Sequence, residues 1–224
     1  MTAIAIDGPS GAGKSTLARR LAAELGYVYV DTGAMYRAIG LYAVRQGVDP
    51  KNEAGVVALL PQIKLDLCYA DGVQHILLNG EDVSLPIRAE QISMAASGVS
   101  AHPAVREFLL ASQRELAKTS DVIMDGRDIG TVVLPDAQVK IFLTASPAAR
   151  AKSRCVARFA RGEAASYAEV LADVEQRDYN DTHRAAAPLK AAQDAVLVDT
   201  TQCDFEQSFR LLLSTIQSKR NGGK

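Results

Sequence analysis

Hydrophobic spacing along the chain switches repeatedly between strand and helix periods. Thr2 to Asp7 is short, apolar and partly β-branched, the pattern of a buried strand. From Thr16 to Leu25 the period turns helical, with Leu17, Leu21 and Leu25 at i, i+4 and i+8, and Gly26 stands where a helix ends. Tyr27 to Val30 predicts a second strand closed by Asp31-Thr32-Gly33, and Ala34 to Gln46 a helix with Gly47 behind it.

The pattern changes between Asp49 and Pro103. A short helix over Glu53–Leu60 is expected to stop at Pro61, and Ile63–Ala70 and Gln74–Leu78 read as strands separated by Asp71-Gly72, with Asn79-Gly80 as a second tight turn. This is a small antiparallel excursion rather than another βα unit. Ile87 to Val99 predicts a helix, and Pro103 suits the first position of the next, which runs through Val105, Phe108, Leu109 and Leu116. The alternating pattern then resumes with a strand at Val122–Met124, closed by Asp125-Gly126-Arg127-Asp128, and another at Val139–Leu143. Ser146-Pro147 opens a helix, Ser166 and Glu169 form a capping box for a second, Ala195–Asp199 is the fifth strand, and Phe205 to Ile216 carries the last amphipathic helix. Asn221 to Lys224 reads as a frayed tail. Five strands alternating with helices predict an α/β fold of three layers, a parallel sheet covered on both faces.

Composition narrows the function classes. A chain of 224 residues accommodates one domain with insertions, and 25 basic against 26 acidic residues give no general attraction to nucleic acid or membrane, so any basic site is local. Cys68, Cys155 and Cys203 are too scattered for a disulfide framework or a zinc site. The first residues show neither a basic n-region nor a cleavage signal, so no secretory leader is expected, and no apolar run approaches the roughly 18 residues of a membrane span. A cytoplasmic, soluble monomer is expected.

The strongest local signal is Gly8-Pro9-Ser10-Gly11-Ala12-Gly13-Lys14-Ser15, a G-x-x-x-x-G-K-[ST] phosphate loop between a strand and a helix, with Thr16 following. Its glycines let successive backbone N–H groups converge on a polyphosphate, and the helix N-terminus adds partial positive charge. Lys14 would bridge the β- and γ-phosphates of a nucleotide, and the Ser15 hydroxyl would coordinate the magnesium that travels with it.

Arginines recur where an anion site would be. Arg37, Arg106 and Arg127 each stand at the start of a helix or at the carboxyl end of a strand. Arg150, Lys152, Arg154, Arg158 and Arg161 follow one another without an acid until Glu163, four of them on one helical face extending to Gly162. That row suits a mobile cap over a triphosphate, and an ordinary solvated face is the other reading. Arg177, Asp181 and Arg184 share a helical face and could be an intrahelical ion-pair ladder. His75, His102 and His183 suggest no triad, and transfer between phosphates needs none, because a phosphate monoester is a nucleophile at pH 7.

With these residues in view the sequence closely resembles the bacterial cytidylate kinases over essentially its whole length. The stretches that carry the likeness are I-D-G-P-S-G-A-G-K-S, D-T-G-A-M-Y-R, M-A-A-S around Ser97, V-R-E with Q-R at Arg114, D-G-R-D-I-G-T-V-V-L-P-D-A, K-I-F-L-T-A and the R-D-x-x-D-x-x-R of Arg177 to Arg184. The resemblance implies a P-loop nucleoside monophosphate kinase that moves the γ-phosphoryl group of ATP, with magnesium, to CMP or dCMP. It implies sheet order 2-3-1-4-5 and a single domain: a core of residues 1–31, 106–150 and 166–224, a monophosphate-binding insertion at 32–105 and a lid at 151–165. Thr32, Arg106, Asp128 and Arg184 would surround the cytosine, Arg37 and Arg127 would take the CMP phosphate, and Ser97, Arg177 and Asp181 would address the sugar. Lys14, Arg127, Arg154 and Arg158 would act in catalysis. Thr32 replaces a serine of some relatives, and Ser153 and Cys155 stand where lid arginines are frequent.

Two other readings share the loop. One keeps the kinase and changes the acceptor to UMP, AMP or shikimate. The other is an ATPase or GTPase switch read by a partner protein, for which the chain lacks an N-K-x-D motif.

Overall fold

In the computed structural model, which describes residues 1–70, 73–160 and 162–221, β1 (Ala3–Asp7) is buried throughout and turns through residues 8–13 into α1 (Lys14–Leu25). That helix ends at Gly26 with φ 69°. β2 (Val28–Asp31) runs straight into α2 (Thr32–Arg45), capped by the Asp31 carboxylate, which accepts from the Ala34 N–H at 2.9 Å. The antiparallel excursion is present. After α3 (Glu53–Leu59) and a 3₁₀ turn around Pro61, β3 (Leu65–Ala70), β4 (Val73–Leu78) and β5 (Glu81–Asp82) form their own sheet. Positive φ at Asn79 (52°) and Gly80 (86°) makes the tight β4–β5 turn, while Asp71-Gly72 lies outside the described residues.

The helix expected over Ile87–Val99 is divided. Pro86–Arg88 is a 3₁₀ turn, Ala89 is extended, and α4 (Glu90–Val99) begins after it. α5 (Pro103–Thr119) starts on its proline as expected. β6 (Val122–Gly126) leads into one π turn, Ile129–Val133, and then β7 (Val139–Thr144). The Ser146 hydroxyl caps α6 (Pro147–Ala160), accepting from Ala149 N–H at 3.2 Å. Ser166 precedes α7 (Tyr167–His183) as its N-cap but makes no side-chain bond there, so the expected capping box is absent. β8 (Val196–Asp199) and α8 (Phe205–Asn221) complete the chain, and the rest of the expected tail, 222–224, is outside the described residues.

The parallel sheet has the order β2-β6-β1-β7-β8, which is 2-3-1-4-5 when its strands are counted alone. Alternation sends Ile4 and Ile6 to one face, where Leu17 and Leu21 of α1 and Phe209, Leu212 and Ile216 of α8 cover them. Ala3 and Ala5 face the other way, with Val122, Met124, Ile129 and Leu116. Each such large side chain, fully buried, stabilises the layer by about 1.5–3 kcal/mol. A second core joins α2, the hairpin sheet and α4 to the first turns of α5 through Met35, Ile39, Ile76, Ile92, Val105 and Leu109. α5 therefore packs into both. At Gly40 an added Cβ would lie 3.0 Å from the Ala96 nitrogen, so only glycine lets α4 lie this close to α2.

The hairpin is also tied to the edge of the main sheet. The Gln74 amide accepts from Asp31 N–H at 2.8 Å and donates to Asp31 C=O at 3.4 Å, and the Tyr69 hydroxyl donates to Tyr29 C=O at 3.2 Å. Among the described residues no helix is long and apolar enough to cross a membrane.

Gly8 is the tightest point of the strand-to-loop turn. Its φ is 150°, and a Cβ there would lie 1.9 Å from the Leu143 carbonyl oxygen of β7. Gly8→Ala should lower stability by about 3 kcal/mol or more, read as a fall in the urea midpoint. An unchanged midpoint would show that β7 yields easily.

Candidate active site

The glycine loop leaves α1 with an open N-terminus. Gly13, its N-cap, is left-handed at φ 82°, no side chain caps the helix, and no acid stands in its first turn, so the first N–H groups are available to an anion. Lys14 is buried, and its ammonium donates to the Pro9 carbonyl at 2.7 Å, closing the loop on itself. Burial pushes its pKa down to about 7, helped by the Arg127 charge and opposed by Asp125, Asp181 and Asp7. Ser15 donates to Asp125 Oδ2 at 2.9 Å, and Tyr29 donates to Asp125 Oδ1 at 2.9 Å. Burial first, then the charge of Asp31, raises the Asp125 carboxyl to about 6.

From this loop a cavity of about 410 Å³ opens at the carboxyl ends of β2 and β6. Seven basic side chains (Lys14, Arg37, Arg106, Arg127, Arg154, Arg177, Arg184) face four carboxylates (Asp31, Asp125, Asp128, Asp181) around it, a positive excess in a chain of net charge −1. Such a lining fits a polyanion.

The structure brings all nine expected acceptor residues to this one cavity: Thr32, Arg37, Ser97, Arg106, Arg127, Asp128, Arg177, Asp181 and Arg184. Asp128 is ion-paired with Arg106 and lies 3.6 Å from Arg184, all three nearly buried. Arg127 Nε donates to Asp181 Oδ2 at 2.8 Å, and Arg37 donates to Asp31 Oδ2 at 2.8 Å. Burial would raise the Asp181 pKa, but the charge and hydrogen bond of Arg127 outweigh it and hold it low. Arg177 is less well compensated: its Nε is buried without a hydrogen-bond partner among the described residues, and burial with the charge of Arg127 lowers its pKa to about 10 against the opposing charge of Asp181. An anion in the cavity would satisfy it. The Thr32 hydroxyl is engaged with the Asp125 carbonyl at 2.8 Å.

Of the loop residues, Ser10, Gly11, Gly13, Lys14, Ser15 and Thr16 line the cavity; Gly8, Pro9 and Ala12 support it from behind. α6 lies over the loop, since a Cβ at Gly11 would meet Arg150 Cβ at 3.5 Å and Arg154 Cδ at 3.7 Å.

The arginine row on α6 differs from its reading as one uncompensated face. Arg150 is buried at the base of the helix, where it donates to Ser10 C=O at 2.9 Å and Ala145 C=O at 2.8 Å and is ion-paired with Asp178 of α7. Arg158 lies outside the cavity, 3.1 Å from Glu90 of α4 and 3.5 Å from Glu163. The acids missing from the local sequence come from neighbouring elements. Only Arg154 of this row lines the cavity; Arg161 lies outside the described residues. The ladder expected within α7 is likewise absent, because Asp181 pairs with Arg127 instead. His183 stacks on Tyr179, ring centroids 4.0 Å apart, away from the cavity.

Sequence reasoning gave no role to Asp125 or Tyr36 and took Asp31 only as one of the polar residues closing the second strand; all three line the cavity. The rule that singled out Arg127, a polar group at the carboxyl end of a parallel strand, applies equally to Asp125 and Asp31.

The chain matches the family model for cytidylate kinase over residues 4–218. It is 46% identical over 210 residues to a cytidylate kinase of Caldicellulosiruptor bescii, covering 94% of this chain and 93% of that one. It is 47% identical over 216 residues to a cytidylate kinase of Citrifermentans bemidjiense, covering 96% and 93%. A solved shikimate kinase from Bacteroides thetaiotaomicron aligns with it at a TM-score of 0.49 and 15% identity, covering 96% of this chain and 98% of that one.

The depressed Lys14 pKa has a thermodynamic consequence. Below about pH 7 the folded protein holds a buried charge that the unfolded chain solvates freely; between pH 7 and the ordinary lysine value the unfolded state binds more protons, so this group's penalty disappears as pH rises. Without ligand, the wild type should therefore gain stability relative to Lys14→Met between pH 7 and pH 10, measured by urea unfolding at both. A difference that is flat or falls with pH would contradict a lysine strained by burial.

Proposed function

The chain belongs to the cytidylate kinase family, and from that premise we propose that its cavity takes the triphosphate of ATP at the glycine loop and CMP or dCMP among the arginines beside it. The protein is a phosphotransferase: it transfers the γ-phosphoryl group of ATP to CMP or dCMP, giving CDP or dCDP and ADP. The observation that carries the assignment of residues is Asp128, a nearly buried carboxylate between Arg106 and Arg184 in the same cavity as the phosphate loop. Cytosine offers an exocyclic amine that wants an acceptor beside a ring nitrogen and carbonyl that want donors. Asp128 supplies the acceptor, and Arg106 and Arg184 supply the donors, with Thr32 forming the adjoining wall.

Arg37 and Arg127 bind the CMP phosphate, and Ser97, Arg177 and Asp181 address the sugar. A phosphate oxygen of CMP attacks the γ-phosphorus, the bond to the β–γ bridging oxygen breaks, and ADP leaves; the attacking monoester is already ionised, so no base is required. The work is alignment and charge neutralisation. Lys14 gives up Pro9 for the phosphates, and Arg154 and Arg127 flank the group in transfer, with the orphaned Arg177 Nε as a further donor. Arg158 would join them only by leaving Glu90. Ser15 and Asp125 offer hydroxyl and carboxylate oxygens to a hard cation, so this pair would hold the nucleotide's magnesium, whose charge offsets that of the phosphates when bound.

Residues 32–105 form the monophosphate-binding part, a division supported by the separate core around Met35, Ile39 and Ile76; residues 151–165 form the lid, whose Ala151, Cys155 and Ala165 pack against Val170 and Val174 of α7. The three free cysteines suit a reducing compartment, and we place the enzyme in the cytoplasm as a monomer.

A coupled assay with ATP–Mg and each of CMP, dCMP, UMP and AMP tests the activity; turnover led by AMP, or hydrolysis without an acceptor, would overturn it. Asp128→Asn should lower kcat/KM for CMP by about 10-fold or more, on the order of 1.4 kcal/mol, with a smaller effect on UMP, whose carbonyl stands where cytosine has its amine. Equal losses would make Asp128 structural.

Arg154→Ala should reduce kcat by about 100-fold, as for loss of one transition-state donor, with Arg158→Ala distinctly milder. Steady-state kinetics giving the reverse order would move the phosphoryl contact to Arg158.

A further inference from the structure

Two charged side chains that the mechanism does not use grip one short piece of backbone. The π turn Ile129–Val133 follows directly on Arg127 and Asp128 and is wound back on them: Val132 and Val133 N–H bond the Asp128 carbonyl at 2.9 and 3.2 Å, and Leu134 N–H bonds Ile129 C=O at 2.7 Å. Its first two N–H groups point at Asp7, at the end of β1. Asp7 Oδ1 accepts from Ile129 at 2.7 Å and Oδ2 from Gly130 at 2.7 Å. Its last carbonyls are held from the other side by Arg114 of α5, whose Nε donates to Val133 C=O at 3.0 Å and whose terminal nitrogen donates to Val132 C=O at 2.9 Å.

An acid thus holds the turn's N–H end and a base its C=O end, the arrangement that complements the turn's dipole and satisfies groups a short helix leaves open. Asp7 is buried, and both its oxygens are occupied by the turn although it immediately precedes the phosphate loop. The need for such a grip lies in Asp128. Its carboxylate is drawn toward Arg106 on one side and Arg184 on the other, and a hydrogen bond to a base amine tolerates a displacement of only about 0.5 Å.

We propose that Asp7 and Arg114 are positioning residues that clamp the turn from its two ends and thereby set the acceptor pocket's choice of base through Asp128. The inference rests on the functional reading above and assigns the selectivity of that pocket to two residues outside it.

The test uses the full-length enzyme with CMP, UMP and ATP varied in turn. In Arg114→Met the preference for CMP over UMP in kcat/KM should fall about tenfold and KM for CMP should rise, while KM for ATP stays within about twofold. Arg114→Lys, able to reach one of the two carbonyls, should recover part of the preference. Asp7→Asn, which keeps one acceptor and replaces the other by a donor, should shift the preference in the same direction. A preference unchanged in Arg114→Met, or a KM for ATP that rises in step with that for CMP, overturns the proposal and leaves Arg114 a prop of the fold. Should Asp7→Asn fail to fold, the two Arg114 variants decide. A wild type without preference for CMP overturns the functional reading itself, and the clamp with it.

Discussion

Like charges gathered out of water repel, and this cavity gathers seven basic side chains. At 4 Å one such pair is worth roughly 4 kcal/mol near a protein surface, so the site exists only because carboxylates are interleaved among the bases. Asp128 stands between Arg106 and Arg184, Asp181 holds Arg127, Asp31 holds Arg37, and Asp178 holds Arg150 beside the loop. Each carboxylate is fixed by the main fold, at a strand end or along α7. Burial, reinforced by the charge of Arg127, still holds the pKa values of Lys14 and Arg177 below the ordinary range, so the cavity remains suited to an anion.

The parallel core was legible because its signals are local. Short apolar runs ending in polar residues gave β1, β2, β6, β7 and β8 to within a residue or two, and Gly26, Pro103 and Ser146 marked helix ends by backbone geometry that needs no partner. What failed depends on contacts distant in the chain. The α6 row looked uncompensated because its acids stand at Asp178 and Glu90, on other helices. The π turn after Asp128 has no sequence period of its own and is shaped by Asp7 and Arg114 from two different elements. The residues proposed for the acceptor were named by resemblance to a family; position in the chain alone pointed to Arg37, Arg106 and Arg127 for an anion and to Arg177, Asp181 and Arg184 as one helical face, and it passed over Asp125.

The two cores divide the labour of holding the site. The sheet with α1 and α8 fixes the phosphate loop, while the core around Met35 and Ile76 fixes α2 and α4, which bring Arg37 and Ser97 to the cavity. α5 belongs to both and carries Arg106 at its beginning and Arg114 two turns on, so one helix relates the cavity wall that pairs with Asp128 to the turn that follows Asp128.

The small antiparallel sheet has an effect beyond the pocket it helps to build. β2 is an outermost strand of the main sheet, and an outermost strand offers a row of main-chain donors and acceptors to any other chain it meets. Here Gln74 takes both the N–H and the C=O of Asp31, and Tyr69 takes the C=O of Tyr29, so the hairpin closes that border with side chains instead of with a sixth strand. The same insertion that brings α2 and α4 to the cavity thus withholds the end of β2 from pairing with another chain and leaves β8 as the sheet's open border.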